Sequence, residues 1–455
     1  MLRFTPRRVV LLSLAVWCAC VLLSLLVGPP LGPDEAAYAR LARHDPHVEL
    51  HRPVGMITIA RIGYALGGSE LALRMTSVLL GTTLIFAVAW FGRRFGPWVG
   101  AWATAVVVGT HAFTMRSFQL LNDLPATAGL LVASAIVIDE LEREAGPTYR
   151  LVIVAPILAA TFHLRYGTSF AIGVLALTAA AVWARSIGRR PGPVIVTALL
   201  FVFLLVPFLL FSLDQTGSVT GILSISRQAA TFPLGQGLAR FLLSNPFWFY
   251  GGLAPLAMAG GLVSIAFAPL RHRRRVLFMT IVSFAMIVWL GLTSDGSARF
   301  LFLPIVFLVV LSVDSIARAL AASPKYGRAG TRLAVGIVIA GWASVVIATV
   351  PIQRHIARGL AGMTAASAAI RADAAGRPCV VAAVSVSQLM WYTGCEGFRV
   401  RAWEAVPPPA ADARWYVVSM EHAPVELGRL ANAAAIPLPG GTAWRLQATT
   451  RRPPP

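Results

Sequence analysis

The chain has 455 residues, of which 57% are hydrophobic and only 13% charged, against about 25% charged in an ordinary soluble domain. That composition excludes a soluble globular protein. The 39 lysines and arginines outnumber the 19 acids, for a formal charge of +20, yet the basic residues cluster between apolar stretches, so membrane topology explains them and no nucleic-acid partner is expected.

The N-terminus carries Arg3, Arg7 and Arg8 ahead of an apolar segment, which is also how a signal peptide begins. No small-residue cleavage site follows. The segment runs into Gly28-Pro29-Pro30 and is read as a first span whose basic end is cytoplasmic. Cys18 and Cys20 lie inside it and are expected to act as small hydrophobes. Residues 31–55 then form an outside loop. The stretch 56–66 is too short to cross and is read as a juxtamembrane helix.

The next basic clusters are Arg93/Arg94, Arg143 to Arg150, Arg185 to Arg190, Arg271 to Arg275 and Lys325 to Arg332. Spans near 9–27, 71–92, 97–115, 124–140, 151–164, 167–184, 193–213, 247–268, 276–292, 300–320 and 333–351 place all five inside. The expected fold is thus a polytopic α-helical membrane protein of about eleven transmembrane helices. Residues 1–351 form the membrane domain, with outside loops at 31–55 and 116–123.

Composition changes after Pro351. Residues 352–455 have no membrane-length apolar run, and they carry Pro407-Pro408-Pro409 and strand-like stretches near 379–386 and 415–420. A small α/β domain on the exterior face is expected. In an oxidising compartment Cys379 and Cys395 are expected to pair, closing a loop worth about 3 kcal/mol on the chain-entropy model. The alternative is two reduced, buried thiols.

With the orientation set, the outside loops hold the polar residues of interest. Gly32-Pro33-Asp34-Glu35 follows the first span directly. The two acids either start a helix, where its dipole favours them, or do chemistry; spacing alone does not choose. The second loop ends at Asn122-Asp123, where Asp123 either caps the next helix or serves a site. Further outside features are His51-Arg52-Pro53, His163-Leu164-Arg165-Tyr166, Arg227 and Arg240, and the 295–300 segment with Arg299. Outside arginines run against the positive-inside trend. They either snorkel to headgroups or bind an anion.

Taken in order, the acids after the first span, Arg52-Pro53-Val54-Gly55-Met56, and Ser69-Glu70-Leu71-Ala72-Leu73-Arg74 resemble the membrane-embedded C-class (GT-C) glycosyltransferases. The likeness is greatest to bacterial lipid A aminoarabinose transferases and protein O-mannosyltransferases. Asp123 fits that pattern's second acidic position, and Ser297-Ala298-Arg299-Phe300-Leu301 with Pro304 is similar to a late Arg-Phe/Tyr-Leu…Pro element of mannosyltransferases. The sequence departs where relatives show Lys/His-Pro-Pro-Leu and here stands His51-Arg52-Pro53-Val54. It departs again at His163-Leu164-Arg165, where many relatives show a lysine, and Arg299 lacks a preceding His-Lys-Glu.

The resemblance implies a cell-envelope transferase in the cytoplasmic (inner) membrane, and the charge pattern puts its N-terminus inside and its C-terminal domain outside. It would move a sugar from a polyprenyl-phosphate donor to a lipid, glycan or protein acceptor, inverting the anomeric centre. Asp34 would be the base, with Glu35 second and Asp123 the other acid. Arg299 and Arg165, then Arg52 and Arg227, would hold the donor phosphate. Tyr38, His51, His163 and Tyr166 would line the donor and acceptor pocket. No cofactor is implied, and no metal-ligand spacing is evident. The rival readings are a transporter or flippase of an anionic lipid or solute, and another lipid-phosphate-dependent transferase; no inverted repeat supports transport.

Overall fold

The apolar stretches fold as helices. The computed structural model describes residues 5–43, 50–143, 149–228, 233–241, 254–269, 272–322, 324–383, 386–399, 414–419, 433–438 and 441–446. Among them, seven helices are long and apolar enough to cross a membrane: Pro6–Val27, Glu70–Gly92, Asp123–Leu141, Pro191–Thr216, Arg273–Thr293, Arg299–Ala322 and Gly327–Ala374. Shorter apolar helices occupy Val54–Ala65, Pro97–Val108, Tyr149–Leu164 and Thr168–Val182, and Ala254–Phe267 adds another. The chain is a mostly helical integral membrane protein. On Pro191–Thr216 the side chains of Leu199, Val202, Phe203 and Leu210 are exposed, as a lipid-facing surface requires.

Two spans differ from the sequence reading. The one expected at 97–115 breaks into Pro97–Val108 and His111–Ser117, where both the backbone N–H and the hydroxyl of Thr110 turn back onto the Val107 carbonyl, at 3.1 and 2.7 Å, a local bonding pattern that competes with continuing the helix. The one expected to stop at Pro351 belongs instead to a helix running Pro324–Ala374 with that proline inside it. A proline removes one backbone hydrogen bond, but the alanine-rich sequence beyond it has strong helix propensity and carries the helix on. The expected span at 247–268 begins in part outside the described residues.

The chain divides into two compact units, one of Met1–Leu23, Val48–Ile59 and Arg74–Thr349, the other of Ser24–His47, Ala60–Leu73 and Val350–Pro455. In the first unit the Phe302–Ala322 helix is buried along its whole first half and packs against Ala254–Phe267, Arg273–Thr293 and Pro97–Val108. Its one acid, Asp314, is ion-paired with Arg318 one turn on. The Asp123–Leu141 helix carries charge at both ends. Near its C-terminus Arg94 pairs with Asp139 at 2.5 Å, and Arg275 pairs with Glu142 at 2.5 Å and donates to the Arg94 carbonyl. Basic residues from two sequence clusters therefore converge at one end. Asp123 lies at the other, about 24 to 28 Å away at the helical rise per residue, close to the thickness of a hydrocarbon core.

The second unit contains a five-stranded sheet in the order β2-β1-β3-β5-β4, formed by β1 (Cys379–Ala383), β2 (Glu396–Arg399), β3 (Arg414–Ser419), β4 (Ala433–Leu438) and β5 (Gly441–Leu446). β1 lies parallel to β2 and β3, while β5 runs antiparallel to β3 and β4. The end of the long helix covers the sheet, with Met363, Ala366 and Ile370 buried against Val381, Leu389, Tyr416 and Val418. Cys379 and Cys395 are joined by a disulfide. The bridge encloses the short helix Val386–Thr393.

Candidate active site

Asp123 is the first residue of its helix and only 1% exposed. Its carboxylate does not cap the helix: the N-cap is Asn122, which makes no side-chain cap. Asp123 Oδ1 is ion-paired with Arg165, which leaves the Val154–Leu164 helix in extended backbone. The two helices can approach because Gly129 faces Thr161, where a Cβ would collide with the threonine side chain. Asn122 Nδ2 donates to the Leu164 carbonyl at 3.0 Å, and the Thr168 hydroxyl to the Arg165 carbonyl at 2.7 Å, so the turn that carries Arg165 is held from both sides.

The second carboxylate oxygen of Asp123, Oδ2, is buried and has no hydrogen-bond partner among the described residues. Leaving such an acceptor dry is costly. It borders a small cavity of about 40 Å³ lined by Asp123, Arg165, Arg299 and Phe300, with Leu130 and Met286 among its apolar walls. Phe300 stands between the arginines: its ring centroid is 5.2 Å from Arg165 Cζ and 5.3 Å from Arg299 Cζ, within cation–π range. Two guanidinium groups and one carboxylate line the same cavity, and a guanidinium fork matches the oxygens of an anion such as a phosphate.

Beside this pocket, the turn holding His51 and Arg52, both half-buried, meets the turn after His163. A Cβ on Gly55 would lie 2.7 Å from the His163 carbonyl oxygen, so only glycine allows the contact. The Val54 N–H donates to Tyr166 Oη at 3.3 Å. Tyr166 is buried against Phe162 and Phe208, and His163 joins the same aromatic cluster. Burial raises the Tyr166 phenol above its ordinary pKa, which keeps the hydroxyl protonated.

Asp34, Glu35 and Tyr38 belong to the second unit, on the helix Pro33–Ala42. There the two acids part ways. Glu35 is buried and its Oε2 accepts the Gly32 N–H at 2.8 Å, satisfying a donor at the helix start; Asp34 is half-buried. Tyr38 is buried. Arg227 lies on the helix Gly221–Gln228, its side chain outside the described residues. Arg240 donates to the Asp295 carbonyl at 2.8 Å. Among the described residues no three His, Cys, Asp or Glu side chains gather as a metal site would need.

Of the polar residues that the sequence puts on the outside face (Asp34, Glu35, Arg52, Asp123, Arg165, Arg227 and Arg299), the pocket is lined by three, Asp123, Arg165 and Arg299. In the sequence Phe300 stands as part of the Arg299-Phe300-Leu301 element but without a role at the site, and Asn122 has none either. For Phe300 a signal existed, an aromatic next to an arginine at the mouth of an apolar span; for Asn122 none did.

No family model matches the sequence, and no curated relative does. Solved structures do match in fold. ArnT from Cupriavidus metallidurans bound to undecaprenyl phosphate superposes with a TM-score of 0.70 at 15% identity, covering 98% of this chain and 99% of that one. The Archaeoglobus fulgidus oligosaccharyltransferase tethered with an acceptor peptide gives a TM-score of 0.52 at 12% identity, over 90% of this chain and 69% of that one. The fold is therefore that of the C-class membrane glycosyltransferases which the sequence resembles.

Proposed function

We propose that the protein is an inverting glycosyltransferase of the cytoplasmic membrane, moving a sugar from a polyprenyl-phosphate donor to a lipid, glycan or protein acceptor at the outer face. The pocket formed by Asp123, Arg165 and Arg299 carries the reading. It is an anion-favouring site at one end of a membrane-length helix whose other end gathers Arg94 and Arg275. The likeness to an ArnT bound to undecaprenyl phosphate supports a lipid-phosphate donor.

In this reading the acceptor hydroxyl attacks the anomeric carbon while Asp34 takes its proton. The glycosidic C–O bond forms as the bond to the donor phosphate breaks, and the phosphate leaves with an added negative charge. Arg299 and Arg165 stabilise that charge, because guanidinium is permanently cationic and matches phosphate oxygens. Asp123 fixes Arg165, and its open Oδ2 accepts a hydrogen bond from a bound group. Attack opposite the leaving group inverts the anomeric configuration.

The test is an assay of purified protein with a panel of polyprenyl-phosphate sugars, scored for transfer and for hydrolysis. Turnover of at least one donor is expected. Flux of an anionic lipid across vesicles, with no glycosidic bond made or broken on any donor, would establish transport instead.

A further inference from the structure

We propose that the Val386–Thr393 helix is a positioning element for the first-loop acid, acting through Gln388 and Tyr392, which together grip the backbone of Leu31. The proposal rests on the reading of Asp34 as base.

Leu31 is fully buried and precedes Asp34 by three residues. Both of its backbone polar groups end on this one helix. Its N–H donates to Tyr392 Oη at 2.7 Å, and its carbonyl accepts from Gln388 Nε2 at 2.8 Å. Gln388 and Tyr392 are four residues apart, on one face of the helix, and so meet a single residue as a neighbouring strand would.

The hydroxyl is itself oriented. Tyr392 Oη lies 3.4 Å from Glu70 Oε2, and Glu70 Oε1 accepts the Trp391 indole N–H at 3.0 Å. With its hydrogen bond donated to Glu70, the hydroxyl keeps a lone pair for the Leu31 N–H. Arg43 adds a further hold, its Cζ 3.5 Å from the Trp391 ring centroid. From Leu31 the chain is stiff: Pro33 fixes its own φ, and Glu35 closes back on the Gly32 N–H. A shift of Leu31 is therefore transmitted to Asp34 rather than absorbed. The Cys379–Cys395 disulfide encloses the whole gripping helix.

The grip acts on where the base stands and not on donor binding. Tyr392→Phe removes one acceptor oxygen; Gln388→Glu keeps the shape but turns a donor into a carboxylate facing the Leu31 carbonyl. Each is expected to lower kcat by about tenfold or more, since misplacement by about 1 Å costs up to about 10²-fold, with the donor KM within about twofold of wild type. On an Asp34→Asn background the same changes should add nothing, because the group they position is gone.

Retention of the Cys379–Cys395 bridge under non-reducing conditions checks that each variant is folded; if Tyr392→Phe loses it, Gln388→Glu carries the test. Wild-type kcat in the folded grip variants, with Asp34→Asn inactive, overturns the grip and leaves the base standing. Losses that multiply on the Asp34→Asn background make the helix merely structural and overturn it too. An active Asp34→Asn removes the base, and the proposal with it.

Discussion

Asp123 and Arg165 are 42 residues apart in sequence and meet in an ion pair in which the aspartate side chain is 1% exposed and the arginine 19%. Removing one member of such a pair strands the other in a poorly solvated place. Arg165→Ala should therefore destabilise the protein by about 3 to 5 kcal/mol. The double variant Asp123→Leu with Arg165→Ala should recover much of that loss while remaining inactive. Thermal melts in detergent of the two singles and the double decide the matter: losses that simply add would mean the two side chains are not coupled.

The two acids of the first loop should separate cleanly. Asp34→Asn keeps the shape but cannot accept a proton, so transfer should fall by about 10²- to 10⁴-fold with donor binding kept. Glu35→Gln retains an oxygen for the Gly32 N–H and should leave transfer near normal. The reverse outcome moves the base one residue along. Full activity in both variants reduces the pair to helix-start residues.

Arg299 should affect binding more than turnover. Arg299→Ala removes a charge that holds the donor phosphate in both ground and transition states, so the donor KM should rise, with a smaller fall in kcat. Arg299→Lys should restore only part of the affinity, since a point charge does not reproduce the planar fork. An unchanged donor KM in Arg299→Ala would take Arg299 out of the phosphate site.

The membrane helices were legible because hydrocarbon imposes a length and a composition on anything that crosses it. The polar break at Thr110 and the passage of a helix through Pro351 were not, since both depend on local hydrogen bonding and on neighbouring helix formers. At the site, Asp123, Arg165 and Arg299 could be singled out as charges where charge is expensive. Their pairing could not, because it needs two helices brought close at Gly129. The division of labour between Asp34 and Glu35 was also hidden: adjacent acids look alike until one is seen to bind the Gly32 N–H. Tyr392 and Gln388 lie more than 350 residues from Leu31, and no spacing in the chain announces them.

The sidedness proposed here has its own test. Arg93, Arg189 and Arg274 are expected in the cytoplasm, and Asp34, Arg227 and the C-terminal segment outside, following positive-inside counting. In intact cells, a membrane-impermeant maleimide should label Arg227→Cys and spare Arg189→Cys. The opposite pattern would invert the topology and remove the outer-face mechanism.

Tyr416 is buried on β3, where its hydroxyl donates to Asp373 Oδ2 at 2.7 Å, and the same carboxylate oxygen accepts from Arg414 at 3.1 Å. Burial, with the Asp373 carboxylate beside it, pushes the phenol up to about 12 from its ordinary 10.0. The folded state thus holds this proton more tightly than the unfolded chain does. Its contribution to stability is fully present below about pH 10 and is lost as pH rises toward about 12. Other groups titrate in that window, so the comparison is with Tyr416→Phe, which lacks both the hydrogen bond and the titration. At pH 9 the variant should melt below wild type, by the loss of one buried hydrogen bond to a charged acceptor. As pH rises from 10 to 12 the gap should close, because wild type alone must deprotonate a phenol facing a carboxylate. A gap that stays constant across that range would mean that Tyr416 titrates alike in the folded and unfolded chain, and that its bond to Asp373 does not hold the proton.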